Sequence, residues 1–279
     1  MIGIGIGLGL LGTPPAAAAA ESDWSWVTQN TVAVSSFRSG LQVQSNIGRR
    51  LSLWEQEGNI LRQNTGVEGT AAIVASPAHT RLGAQVTVSP LAIFDLHLYA
   101  GGVSYFGNFQ TVVGYPESST AVGSNAAIAE WVDTTNNQAP GLGVILGTKG
   151  VVKLQVGPVV GLLSTELTHW RVSSDVDGPW FFEREKEVLL ELGGDEILDV
   201  NGLVLAELEV GSLDWIRVGS LTTWRYGIGA QDSLLRSGAL VSIGKGPTRH
   251  NLIVQPYLSS RNFGPSDLPY VAYAFQYIR

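Results

Sequence analysis

Four histidines are where chemistry near neutral pH would start in this chain: His79, His97, His169 and His250. The sequence has no cysteine, which excludes disulfides, thiolate metal sites and a cysteine nucleophile. His169 is followed by Ser173, Ser174 and Asp175, the residue types of a nucleophile, a base and an orienting carboxylate. Four residues of extended strand cover about 13 Å, so a bend is needed before hydroxyl and imidazole meet. A polar histidine at a rim is the plainer reading. His97 stands two residues from Asp95, which suits a hydrogen-bonding pair, while two ligands fall short of a metal's usual three or four. Gly141-Leu142-Gly143 lacks the following helix of a phosphate loop. No catalytic residue, metal or cofactor is therefore expected.

Charged side chains form a larger set. Arg81, Asp95, His97, Lys153, Arg171, Glu207, Glu209, Arg217, Arg225 and Arg236 all sit on the polar side of segments that alternate polar and apolar residues. Alternate residues of a strand share a face, so the parity predicts that all ten point the same way. Two kinds of chemistry follow if that way is the inside of a barrel. Rings of such charges set ion selectivity in a channel, or they pair with one another and hold the lumen shut.

The elements that would position them are long strands. Charged residues make up only 15% of the chain, below the usual quarter of a soluble domain. The net charge is −7 and the basic residues are scattered, which argues against nucleic acid as a partner. No segment after Ala20 approaches the ~18 apolar residues of a membrane helix. Arg81–Ser89 shows the repeating pattern: Leu82, Ala84, Val86 and Val88 on one face, with Arg81, Gly83, Gln85, Thr87 and Ser89 on the other. The polar faces are rich in glycine and serine, and the runs hold their alternation for nine residues or more. Sandwich strands average about 5–6 residues and collect charge on their wet face. The pattern is that of strands with lipid outside and water inside.

Twelve runs are predicted. They are Trp24–Phe37, Gly40–Trp54, Val67–Ser76, Arg81–Ser89, Leu91–Phe106, Gly141–Gly147, Val151–Val172, Gly202–Val210, Asp214–Tyr226, Ser233–Gly244, Asn251–Ser260 and Leu268–Arg279. The fold class is thus all-β, an antiparallel up-and-down transmembrane barrel of about twelve strands, with ten to fourteen as its range. With both chain ends in the periplasm, the turns there are Ser89-Pro90, Thr148–Gly150, Gly211–Leu213 and Lys245–Arg249. Asn108–Pro140 and Ser173–Asn201 become long extracellular connections, and Glu55–Gly66 is the one long link on the wrong side. Within Ser173–Asn201, Phe181–Leu192 carries alternating Glu183, Glu185 and Glu187 and could form a strand pair rising above the membrane. Carboxylates facing lipid are costly, so Glu183–Val200 is placed outside the bilayer.

Trp170, Trp215, Trp224, Tyr226, Tyr273, Phe275 and Tyr277 lie near run ends, where amphipathic rings form interfacial belts; Trp24, Trp26, Trp54 and Tyr257 extend the set. Residues 1–20 have the apolar core and Ala16–Ala20 cleavage region of a secretory signal, although no Lys or Arg precedes Arg38. Residues 21–279 then form a single barrel domain.

The final run, with Val271, Tyr273, Phe275 and Tyr277 alternating, resembles the last strand of outer-membrane β-barrel proteins generally, the strand that the barrel assembly machinery reads. The usual terminal Phe is replaced here by Arg279. The resemblance implies a bacterial outer-membrane location, with membrane lipids and that machinery as partners. Three functions fit: a small porin-like channel for ions or solutes, a non-conducting structural or adhesive barrel acting through its extracellular loops, and, least supported, a lipid hydrolase using His169.

Overall fold

The computed structural model describes residues 24–35, 40–53, 60–62, 64–107, 112–120, 122–123, 125–211, 213–263 and 268–279. The expected signal segment, residues 1–20, and Trp54 lie outside the described residues. In chain order the first strands are β1 (Trp24–Ser35), β2 (Leu41–Ser52), β3 (Gly66–Ala75), β4 (His79–Leu91), β5 (Phe94–Tyr105) and β6 (Gly114–Tyr115). Helix α1 (Asn125–Thr135) precedes β7 (Gly141–Val156), β8 (Val159–Ser174), β9 (Trp180–Glu183) and β10 (Val188–Glu191). Then come β11 (Asp195–Leu208), β12 (Trp215–Gly227), β13 (Asp232–Lys245), β14 (Thr248–Gln255), β15 (Tyr257–Ser260) and β16 (Tyr270–Ile278).

All but β6, β9 and β10 belong to one antiparallel sheet that closes on itself, since β1 pairs with both β2 and β16. β14 and β15 are one wall strand interrupted at Pro256, which has no N–H to give to the ladder, and a register shift between Leu235 and Arg236 on β13 absorbs the break. The wall therefore has twelve strands. The ends of β1 and β16 lie at the same rim, joined by backbone bonds in both directions between Thr28 and Arg279 (2.7 and 2.9 Å).

Two of the predicted turns move. β7 runs straight through Thr148–Gly150, pairing there with β5 on one side and β8 on the other. The reversal comes at Gly157-Pro158, inside the run expected to be continuous from Val151 to Val172. Gly157 (φ +56°) takes the left-handed conformation that a two-residue hairpin turn asks of its first central residue, and Gly246-Pro247 (φ +54°) repeats the device between β13 and β14. The Ser89-Pro90 turn slips to Ala92-Ile93, with Leu91 opposite Phe94 after a register shift. The link after β2 is long, as expected, and docks on that turn through a bond from Ala92 N to Leu61 O (2.9 Å).

Outward-facing side chains include Leu82, Val86, Leu98, Leu142, Leu146, Leu154, Leu163, Val204 and Leu252, all exposed. An apolar surface of that extent would aggregate in water, whereas around a closed barrel it is a lipid-facing belt. At the rim away from the termini the connections are larger. Residues 112–140 hold β6 and α1, a helix that the strand-period reading did not anticipate. Its Ile128 and Val132, one turn apart on one face, are buried with Val113, Tyr115 and Val122. Tyr115 stacks on Trp131 at 5.5 Å.

Candidate functional site

The strand pair expected above the membrane instead turns down into the barrel. β9 and β10 pair in register from Trp180–Glu191 to Glu183–Val188, with β6 on the outer side of β9. Their turn, Arg184–Glu187, closes with a bond from Glu187 N to Glu183 O (2.7 Å), and Glu187 takes φ +59°, rare for a residue with a side chain. Carboxylates are costly on the lipid face, and the lumen keeps them off it as well as a position above the membrane does.

Wall strands on every side receive the tip. Glu185 accepts from Gln42 on β2 (3.1 Å), lies 3.3 Å from the His79 ring on β4 and forms an ion pair with Arg81. Glu183 takes Tyr105 of β5 (3.0 Å) and Arg81 (3.5 Å). Lys186 spans Asp199 on β11 (2.5 Å) and Glu166 on β8 (3.2 Å). Arg225 of β12 binds Asp199 (2.5 Å) and the Lys186 carbonyl. Glu187 meets Arg236 of β13 (2.6 Å) and Tyr257 of β15 (2.9 Å). Burial would push the Glu185 carboxyl up, but Arg81 and His79 outweigh it and hold it at about 2.

The hairpin stem is apolar on both faces and separates two clusters. Phe181, Val188 and Leu190 pack with Val103, Ile145, Trp170 and Ile197, whereas Phe182 and Leu189 pack with Leu203, Leu221, Leu234 and Tyr257. Each of the five stem side chains is 0–2% exposed. Full burial of such a side chain is worth about 1.5–3 kcal/mol, so the stem supplies a large favourable contribution to docking while the ions set its register. Rim carboxylates pin the backbone: Asp232 accepts from Leu189 N (2.9 Å) and Asp195 from Glu191 N (3.1 Å).

The sequence-predicted charges divide into three groups. Arg81, Arg225 and Arg236 face inward and bind the tip or the carboxylates beside it. Asp95, Lys153, Glu207 and Arg217 also face inward, as pairs between neighbouring strands: Lys153–Asp95 at 2.8 Å and Arg217–Glu207 at 2.7 Å. His97 faces inward too, but its Nδ1 meets Thr87 (2.9 Å) and Gln85 (3.2 Å), while Asp95 takes Ser89 (2.7 Å). Residues two apart on a strand share a face without touching, and their partners lie across the ladder.

Arg171 and Glu209 depart from the expectation. Arg171 is exposed on the outer face, because residues flanking a two-residue turn point the same way; Val156 and Val159 are both outside, and parity inverts after Gly157-Pro158. That inversion brings in Glu166 and Trp170, and Trp170 is 1% exposed beneath the Arg81 guanidinium (4.9 Å) rather than at the membrane interface. Glu209 lies beyond the end of β11 and is exposed. Trp215 is likewise inside, lying over Gly244 of β13 and under Arg217 (4.2 Å). Tyr257 is buried against the plug. Trp224 and Tyr226 stack at 6.1 Å on the outer wall, and Tyr273, Phe275 and Tyr277 also point outward. His169 faces outward, and its Nδ1 meets Glu196 of β11 at 2.9 Å, while Ser174 donates to the Pro140 carbonyl at 2.7 Å.

Sequence reasoning missed Glu166, Lys186 and Asp199, which hold the centre of the network. Asp199 carried a signal: it stands opposite Arg225 in register, and moving the start of β11 from Gly202 to Asp195 would have exposed the pair.

A closed antiparallel barrel with a lipid-facing belt defines the class: this is a transmembrane β-barrel of the bacterial outer membrane. Solved structures of similar fold include the β domain of the Bordetella autotransporter BrkA (10% identity, TM-score 0.45, 92% of this chain and 99% of that one). Others are the KdgM porin (7%, 0.41, 90% and 98%) and LpxR from Salmonella typhimurium (6%, 0.42, 91% and 99%). No protein-family model and no curated protein matches the sequence.

Proposed function

We propose that the protein is a closed outer-membrane barrel, acting through the folded cap at the rim away from its termini rather than as an open diffusion pore. The observation that supports this is the seating of the Phe181–Leu192 hairpin, whose ionic tip binds wall strands around the lumen and whose apolar stem is fully buried. With both termini in the periplasm, that cap is extracellular. A barrel of twelve strands falls between those filled by side chains and those that leave an aqueous channel. Here an inserted element occupies the difference.

Planar bilayers test the reading. Refolded wild-type protein should show no discrete conductance at neutral pH, whereas replacing residues 180–192 by a short Gly/Ser linker should produce single-channel steps. Steady wild-type conductance of porin size would overturn the closed reading and restore the small-channel alternative. A specific observation keeps that alternative in view: a cavity lined in part by charged and amide side chains extends beneath the tip, so a displaced hairpin would leave a continuous path.

A further inference from the structure

Beneath the hairpin tip the lumen holds a cavity of about 360 Å³, within the range of small-ligand pockets. Arg81, Lys186 and Arg225 line it at the plug, and it runs toward the terminus-bearing rim, where Arg50, Glu68 and Ile278 line it. Leu203 and Leu221 form its apolar edge, and beyond them the interior is filled by Leu205, Leu240 and Ile253.

Two side chains on the cavity wall are equipped to receive an anion. His97 on β5 and Lys149 on β7 are directly opposite in register, so their side chains are cross-strand neighbours on the inward face. With the Gln85 amide oriented to put Nε2 on His97 Nδ1 (3.2 Å), that ring nitrogen accepts and the ring's proton falls on Nε2. That N–H is a neutral donor beside an ammonium. Lys149 makes one long ion pair, 4.0 Å to Glu166 Oε2, while Lys186 (3.2 Å) and the Tyr99 hydroxyl (3.0 Å) hold Oε1 of the same carboxylate. Cationic side chains also outnumber carboxylates in the lining as a whole. Gln44, Asn46, Thr70 and Asn201 add amide and hydroxyl groups, the partners of sugar-like hydroxyls.

We propose that this cavity is a binding site for a small hydroxylated carboxylate, whose carboxylate is held by Lys149 and His97 and whose hydroxyls meet the amides on β2 and β11 to either side. The site does not depend on the barrel being closed, since its groups are on the wall. Failure of the conductance test and failure of this one are therefore separate results.

Isothermal titration of the refolded full barrel in detergent tests it, with glucuronate as probe and glucose as its uncharged counterpart. Glucuronate should bind at least tenfold more tightly than glucose. Lys149→Met should weaken glucuronate at least tenfold and leave glucose unchanged, and Lys149→Arg should restore most of the affinity. His97→Phe, which removes the donor and keeps a ring, serves as the second variant, with heat-modifiable gel migration showing that each barrel has formed. No glucuronate binding, equal binding of the two sugars, or glucuronate affinity untouched by Lys149→Met would each overturn the assignment.

Discussion

Arg236 and Glu187 meet at 2.6 Å with side chains 1% and 3% exposed, so neither charge has water to fall back on. Removing one member of such a pair strands the other, at a cost of about 3–5 kcal/mol, whereas replacing both is often close to neutral. Arg236→Met should therefore lower stability by about that amount in urea unfolding from lipid vesicles, and Arg236→Met with Glu187→Gln should recover most of it. Gly147 makes a second prediction. A Cβ there would fall 2.2 Å from the Tyr99 ring, which lies across it to reach Glu166. Gly147→Val should displace Tyr99, and the measurement is a changed near-ultraviolet dichroism of the folded protein. At this scale much was legible: within one strand, parity alone placed Arg81, Arg217, Arg225 and Arg236 correctly on the inner face. It failed for Arg171 because parity is conserved along a strand and inverted by a two-residue turn, so one misplaced turn reverses everything after it. Trp170 and Trp215 were misassigned for a related reason, because position near a strand end says nothing of which face carries the ring.

The hairpin, as an element, is held by groups of very different pH sensitivity. Its apolar stem does not titrate, and its tip does. Docked, Glu185 is held at about 2 by Arg81 and His79 against its own burial; released, it returns to 4.5. A group with a depressed pKa in the docked form favours docking above its released value and loses that contribution as pH falls through the docked one. The tip should therefore be fully held at neutral pH and loosen progressively between about 4.5 and 2. Bilayer recordings at pH 6 and pH 3 check this: openings should become frequent at the lower value, and Glu185→Gln should show them at both. The alternation of Glu183, Glu185 and Glu187 was visible in the sequence, as was the acidic character of the segment. Its destination was not, because strand periodicity reports which residues share a face and not whether that face meets solvent or a lumen lined with arginine. Helix α1 escaped notice for another reason, since its packed stripe is short, Ile128, Trp131 and Val132 within eleven residues.

At the scale of the whole molecule, the strand number was legible because each wall strand alternates independently, and errors in individual turns left the total at twelve. Closure was legible in less detail, since nothing in β1 or β16 alone says that they pair. Yet that pairing is what removes the last free edges: Gln29–Ser35 lies against Ala272–Ile278, and the Thr28 hydroxyl reaches Arg279 across 251 residues of chain. Contacts so distant in sequence form late and slowly, because the loop that must close runs from Thr28 to Arg279. A chain cut short before Tyr270 would keep eleven of its wall strands and expose two unsatisfied edges in place of none. Such edges pair with whatever strand they meet. Shortened chains should accordingly appear as sodium dodecyl sulfate-resistant ladders of multimers on unheated gels, where the full chain runs as one fast-migrating band. The seam thus acts as a completeness check on the wall: the molecule stays self-adhesive until β16 meets β1.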